Sequence, residues 1–144
     1  MKLTHTQNMK ATKSGMTLLE LTVVILVLLS LISILFIGAR AWKRGSDRAA
    51  SILQIRNVQQ AVRSYSNMNG KNAGETVTGL QGEIFGAGQF IENDPTAGTH
   101  PAGGGHQYAI AAPTVIPAVG TLYMEVTGPD AVDYMPDPLT VADW

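Results

Sequence analysis

Residues 21–39 are nineteen consecutive amino acids without a charge, and extending the run back to Ser14 admits only Glu20. A helix rises about 1.5 Å per residue, so about twenty apolar residues match the ~30 Å hydrocarbon core of a bilayer. The segment is a membrane span, or something built like one. The chain has 144 residues, which leaves room for one domain beside the apolar run.

Three readings of this N-terminus follow from its residues. In the first, Lys2, Lys10 and Lys13 precede a cleaved secretory signal, and Ala39-Arg40-Ala41 supplies a small-x-small cleavage pattern releasing a protein that starts at Trp42. The apolar run exceeds the usual ~7–15 residues of such a signal. It also carries Glu20, a charge that costs roughly 2.5–3.5 kcal/mol at a bilayer centre and less near its edge. In the second reading the run is a plain signal anchor. Three lysines precede it, but Arg40, Lys43, Arg44 and Arg48 follow closely, so flanking charge does not set an orientation. In the third, the polar, basic stretch 1–15 is itself the leader. A cut between Gly15 and Met16 would keep the apolar helix on the mature chain, headed by a new ammonium group.

The third reading accounts for the order of features. Lys13-Ser14-Gly15-Met16-Thr17-Leu18-Leu19-Glu20-Leu21-Thr22-Val23-Val24-Ile25 resembles the class III leader junction of type IV pilins and pseudopilins, and the likeness covers about residues 10–45. It implies a prepilin peptidase that cuts after Gly15 and methylates Met16. It implies inner-membrane storage, an inner-membrane assembly machinery, and polymerisation with copies of the same chain into a helical filament. The implied localisation is the bacterial inner membrane, then the cell surface, or the periplasm for a type II secretion pseudopilin. Met16 stands where the family most often has Phe, and no proline occurs before Pro95. Gly38 and Gly45 each weaken a helix by about 1 kcal/mol relative to Ala and mark where an interruption is expected.

Thr17-Leu18-Leu19-Glu20 also fits a capping box, with Thr17 as N-cap and Glu20 bonding back. That role is local. A carboxylate among apolar residues also calls for a counter-charge. The family resemblance implies that Glu20 pairs with the Met16 ammonium of an adjacent subunit.

Beyond the run, Ala49, Ile52, Ile55, Val58, Val62, Tyr65 and Met68 recur at three- or four-residue steps, with Arg48, Arg56, Gln59, Arg63 and Asn67 mostly between them. This predicts one helix over 17–68, ending at Asn69-Gly70, where both residues tolerate the left-handed conformation. Arg40, Trp42, Lys43 and Arg44 suit a membrane interface before assembly.

Charge divides the chain. All ten Lys and Arg lie between Lys2 and Lys71, with only Glu20 and Asp47 opposing them, giving 10 − 2 = +8; the nine acids after Lys71 give −9. The formal total of −1 hides this. In a filament, Arg40, Lys43, Arg44 and Arg48 are expected to face the acidic domains of neighbouring chains. No specific nucleic-acid partner is expected, because the basic character is not general.

Residues 70–144 hold twelve glycines and seven prolines, which disfavours long helices. Strands are expected over 107–112 and 121–126, forming a small antiparallel sheet on the amphipathic half of the helix, with a short helical turn within 80–91. The expected fold class is α+β, of the type IV pilin kind. The organisation is a leader over 1–15, an apolar helix over 16–39, its amphipathic continuation over 40–69 and an acidic β domain over 70–144. The stretch His100-Pro101-Ala102-Gly103-Gly104-Gly105-His106-Gln107-Tyr108 resembles the Cys-Pro-x-Gly-Gly-x-Tyr turn of some pilin-like proteins, with His100 in the cysteine's place and Gly128 near its partner's.

No cysteine is present, so no disulfide or thiolate chemistry is available. His100 and His106 lack a clear third ligand and read as exposed loop residues. Asp130, Asp133 and Asp137 are weak calcium candidates. Major pseudopilins bind calcium in this general region. Asn93-Asp94-Pro95 is faintly similar to their Asp-Pro-Trp-Gly segment, though Trp and Gly do not follow. A solvated acidic loop is the default. With no G-x-S-x-G or P-loop pattern, the expectation is a structural protein without a cofactor, not an enzyme.

Overall fold

The structure, a computed structural model, describes residue 15 and residues 17–144. The architecture is α+β. A long helix α1 (Leu18–Met68) and a one-turn helix α2 (Leu80–Ile84) precede strands β1 (Gln107–Ile110) and β2 (Met124–Thr127), with 3-10 turns at Pro95–Ala97, Ala131–Tyr134 and Pro138–Thr140. The chain divides into two units between Ala39 and Arg40.

The described part of the first unit is the start of α1. Both halves of the capping box form: the Thr17 N–H donates to Glu20 Oε2 at 2.8 Å and the Glu20 N–H donates to Thr17 Oγ1 at 3.2 Å. Gly15 lies outside the helix, and Met16 lies outside the described residues. None of residues 18–39 is buried. Three hydroxyls fold back onto their own helix: Thr22 donates to the Leu19 carbonyl, Ser30 to that of Val27 and Ser33 to that of Leu29, each at 2.8 Å. The helix therefore satisfies these polar atoms internally, as an apolar environment requires.

In the second unit α1 buries a stripe of Ile55, Val58, Val62 and Tyr65 against Leu80, Ile84, Phe85, Ile116, Tyr123 and Met124. The glycines at 38 and 45 do not break α1. Its end is a Schellman turn: Gly70 has φ +61° and the Lys71 N–H donates to the Ser66 carbonyl at 2.9 Å. Three apolar positions of the expected stripe are not fully buried: Ala49 and Met68 are exposed and Ile52 is half-buried. The polar Ser51, Gln59 and Ser66 are buried instead.

β1 and β2 pair antiparallel, with Tyr108 opposite Val126 and Ile110 opposite Met124. The sheet is shorter than expected, for identifiable reasons. The Gln59 side chain takes the main-chain groups ahead of β2, donating to the Thr121 carbonyl and accepting from the Tyr123 N–H, both at 2.9 Å. A helix side chain thus occupies the ladder positions a longer strand would use. At β1's end, Ala111 still donates to Tyr123 at 3.0 Å, but Pro113 has no N–H to continue. The turn expected within 80–91 is helical only to Ile84; Phe85 is extended and bridges Ile91. Gly128, at φ +120°, lets its backbone pass the 105–106 backbone, where an added Cβ would stand 2.8 Å from the Gly105 carbonyl oxygen.

Candidate functional site

Three groups of chemically active side chains stand out. The first is Glu20 at the head of α1. Its Oε2 accepts the Thr17 N–H. Gly15 lies outside the helix, whereas Ala41 and Trp42 lie within α1.

The second group comprises the cations expected to face neighbouring chains. Lys43 is paired with Asp47 on its own helix at 2.7 Å, an exposed spacing worth a few tenths of a kcal/mol. Arg44 and Arg48 line a cleft together with His106, Asp130, Asp133 and Tyr134. The structure thus brings two predicted cations and two predicted acids together within one chain. Among the described residues no carboxylate approaches Arg44 or Arg48 within 4.0 Å. Asp137 acts locally instead, as its Oδ1 accepts the Leu139 N–H at 2.9 Å and caps the last 3-10 turn. Among the described residues no three His, Asp or Glu side chains gather as metal ligands, and Asp130, Asp133 and Asp137 form no such group.

The third group does not emerge as a unit from the residue pattern. His100 is only 2% exposed, against the expectation of an exposed loop residue. The loop residues 101–106 fold around it, with Gly103, Gly104 and Gly105 all at positive φ. His100 Nδ1 accepts the Ala102 N–H at 3.2 Å, and Nε2 lies 3.1 Å from Ser51 Oγ. An accepting Nδ1 puts the neutral ring's proton on Nε2, which then donates to Ser51. Such a ring cannot take a proton from Ser51, and both residues are sealed from solvent, so this Ser–His contact is not a hydrolytic pair. The rings of Tyr108, Tyr134 and His106 surround His100, with centroids at 4.7, 5.4 and 5.5 Å. Burial, then the neighbouring His106, hold the His100 imidazole below the usual histidine range, with Asp47 opposing. Burial pushes the Tyr108 phenol up; the adjacent Ser51 offsets this in part, although the Tyr108 hydroxyl completes no hydrogen bond.

Sequence periodicity also misses Gln59 and Arg63, which it places on the outward face. Arg63 donates to the carbonyls of Pro117 and Trp144, each at 2.8 Å, and Arg56 covers the Trp144 ring at 5.2 Å. No hydrophobic pattern reveals these positions, because their value lies in reaching carbonyl groups of a distant loop.

Comparison with models of protein families, with curated proteins and with solved structures gives no match for this chain.

Proposed function

We propose that the chain is a pilin-like structural subunit, cleaved after Gly15 by a prepilin peptidase, held in the inner membrane by its apolar helix, and polymerised through that helix into an extracellular type IV pilus-like filament. The observation that carries this reading is an apolar helix with no buried residue that opens on the Thr17–Glu20 capping box directly after the Gly15 junction. Length and composition alone suit a membrane anchor or a signal sequence equally. Two points favour retention on the mature chain. Beyond its capping bond, the Glu20 carboxylate among apolar residues calls for a counter-charge, and cleavage after Gly15 creates an ammonium at Met16. A cut before Trp42 would instead fall within helical backbone, which does not fit an extended protease cleft.

Mass spectrometry of the mature N-terminus is the test. A chain starting at methylated Met16 supports the proposal. A start at Trp42 replaces it with a secreted domain, and a start at Met1 with a simple anchor. Electron microscopy of sheared surface material then distinguishes a pilus from a type II secretion pseudopilus. Glu20→Ala is expected to leave processing intact and to stop filament growth; normal filaments from that variant would remove Glu20 from the assembly mechanism.

A further inference from the structure

We propose that His100 is the acid-released catch of a latch that holds loop 98–106 and the Ala131–Tyr134 turn against α1. The neutral ring satisfies both neighbours at once, accepting from the Ala102 N–H and donating to Ser51. Protonation puts a second N–H at Nδ1, directly against the Ala102 N–H, so the turn that seats the ring loses its bond and two donors face each other. Among the described residues, no carboxylate contacts this enclosed ring to stabilise its charge.

His106 ties the loop to the turn. Its Nδ1 lies 2.6 Å from the Gly103 carbonyl oxygen, its Nε2 faces the Pro129 carbonyl oxygen, and its ring packs edge-on against Tyr134 with centroids 4.7 Å apart. Loop and turn therefore leave the helix together when the His100 link to α1 breaks.

The other groups facing this pair are few. From α1 they are Ser51, Asp47 with its partner Lys43, and Arg44 and Arg48 on the His106 side. From β1 comes Tyr108, and from the turn come Asp130, Asp133 and Tyr134. Asp47 favours a charged His100, but burial and His106 outweigh it. The sign is then fixed. The folded ring titrates below the unfolded one, so its stabilisation is complete above about pH 6.5, the ordinary histidine value, and is lost as pH falls through the lowered value. The latch is closed at neutral pH and opens in acid, whether or not the chain polymerises.

The test is NMR on the full-length ¹⁵N-labelled chain in detergent micelles. At pH 7.5 the His100 ring is expected as the Nε2–H tautomer. Between pH 7.5 and 5.0 the Ala102 amide protection factor is expected to fall about tenfold or more, while that of Val58 in the α1 core holds. His100→Gln supplies an acceptor and a donor without titrating and is expected to abolish the fall. An imidazolium or Nδ1–H tautomer at pH 7.5 overturns the proposal. So do unchanged Ala102 protection at pH 5.0, a fall at Val58 in step with it, or the same fall in H100Q. If H100Q does not fold, the wild-type tautomer and protection profiles decide alone.

Discussion

Leu29 and Ile55 lie on one helix and are similar in size and apolarity, yet Leu29 is 60% exposed and Ile55 1%. The upstream stretch is the more apolar of the two, and none of it is buried. The downstream stretch is mixed, with Ser51, Gln59 and Ser66 among its buried residues. Apolarity sets a demand for cover. What meets the demand depends on which groups fold over the surface. Over the second stretch the chain's own loops and sheet do so, helped by polar side chains that bond to loop backbone. Over the first, the described residues offer nothing, and lipid or other copies of the chain are the proposed cover.

The sharpest test of this contrast is a matched pair of truncations. Ile84, fully buried against α1, should cost about 3 kcal/mol when changed to Ala, through lost transfer energy and the cavity left behind. Leu29→Ala should change the unfolding of the detergent-solubilised chain by less than about 0.5 kcal/mol. Chemical denaturation of both variants, followed by tyrosine fluorescence, measures this; equal costs would mean that the apolar stretch is covered by the chain itself.

A second test concerns the backbone beneath the loops. Gly128→Ala puts a methyl 2.8 Å from the Gly105 carbonyl oxygen and 3.0 Å from His106 Cα, at φ +120°. The expected loss is about 2–3 kcal/mol. Gly88→Ala shares a positive φ of +81° but meets open space, so only the conformational cost of about 1 kcal/mol is expected. A thermal melt of each variant separates crowding from strain.

The polar contribution to the covered stretch is tested at Gln59. Gln59→Leu keeps the volume but leaves the Tyr123 N–H and the Thr121 carbonyl without their partner, at a cost of about 2 kcal/mol. Gln60→Leu, on the exposed face, should stay within about 0.5 kcal/mol. If the two variants match, the amide contributes no more than its packing.

The same contrast separates what is legible in the residues from what is not. The capping box at Thr17 and Glu20 and the stop at Asn69-Gly70 are legible because local rules govern them, and both form as expected. The apolar half of the core stripe is legible from helical periodicity. The place of β2 is not, because its ladder positions are taken by a side chain some sixty residues earlier. The burial of His100 is hidden for the same reason. A histidine beside a glycine run looks solvated until Ser51 and the rings of Tyr108 and Tyr134 close around it. The charge halves are visible at once, but the sequence does not show that Arg44 and Arg48 share a cleft with Asp130 and Asp133 of their own chain. Long-range contacts made by polar groups leave no periodic trace.

The smallest expected effect is an alkaline one, confined to the covered unit. Tyr123 is 1% exposed, and burial first, with Asp94 adding to it, pushes its phenol up to about 12. A raised phenol means that the fold favours the neutral form. Its stabilisation is complete below about pH 10, the ordinary tyrosine value, and is lost as pH rises through about 12. At pH 11 the loss is on the order of 1 kcal/mol relative to neutral pH. Tyr123→Phe keeps the ring in the core and removes only a hydroxyl that donates to the Pro113 carbonyl over a long 3.3 Å. The variant should therefore match the wild type at pH 7 and lose less stability between pH 10 and 12. A residual slope is expected from Tyr108, whose phenol burial also raises. Denaturation midpoints at pH 7, 10 and 11 measure the difference; identical alkaline slopes in the two proteins would show that Tyr123 ionises as freely in the fold as outside it.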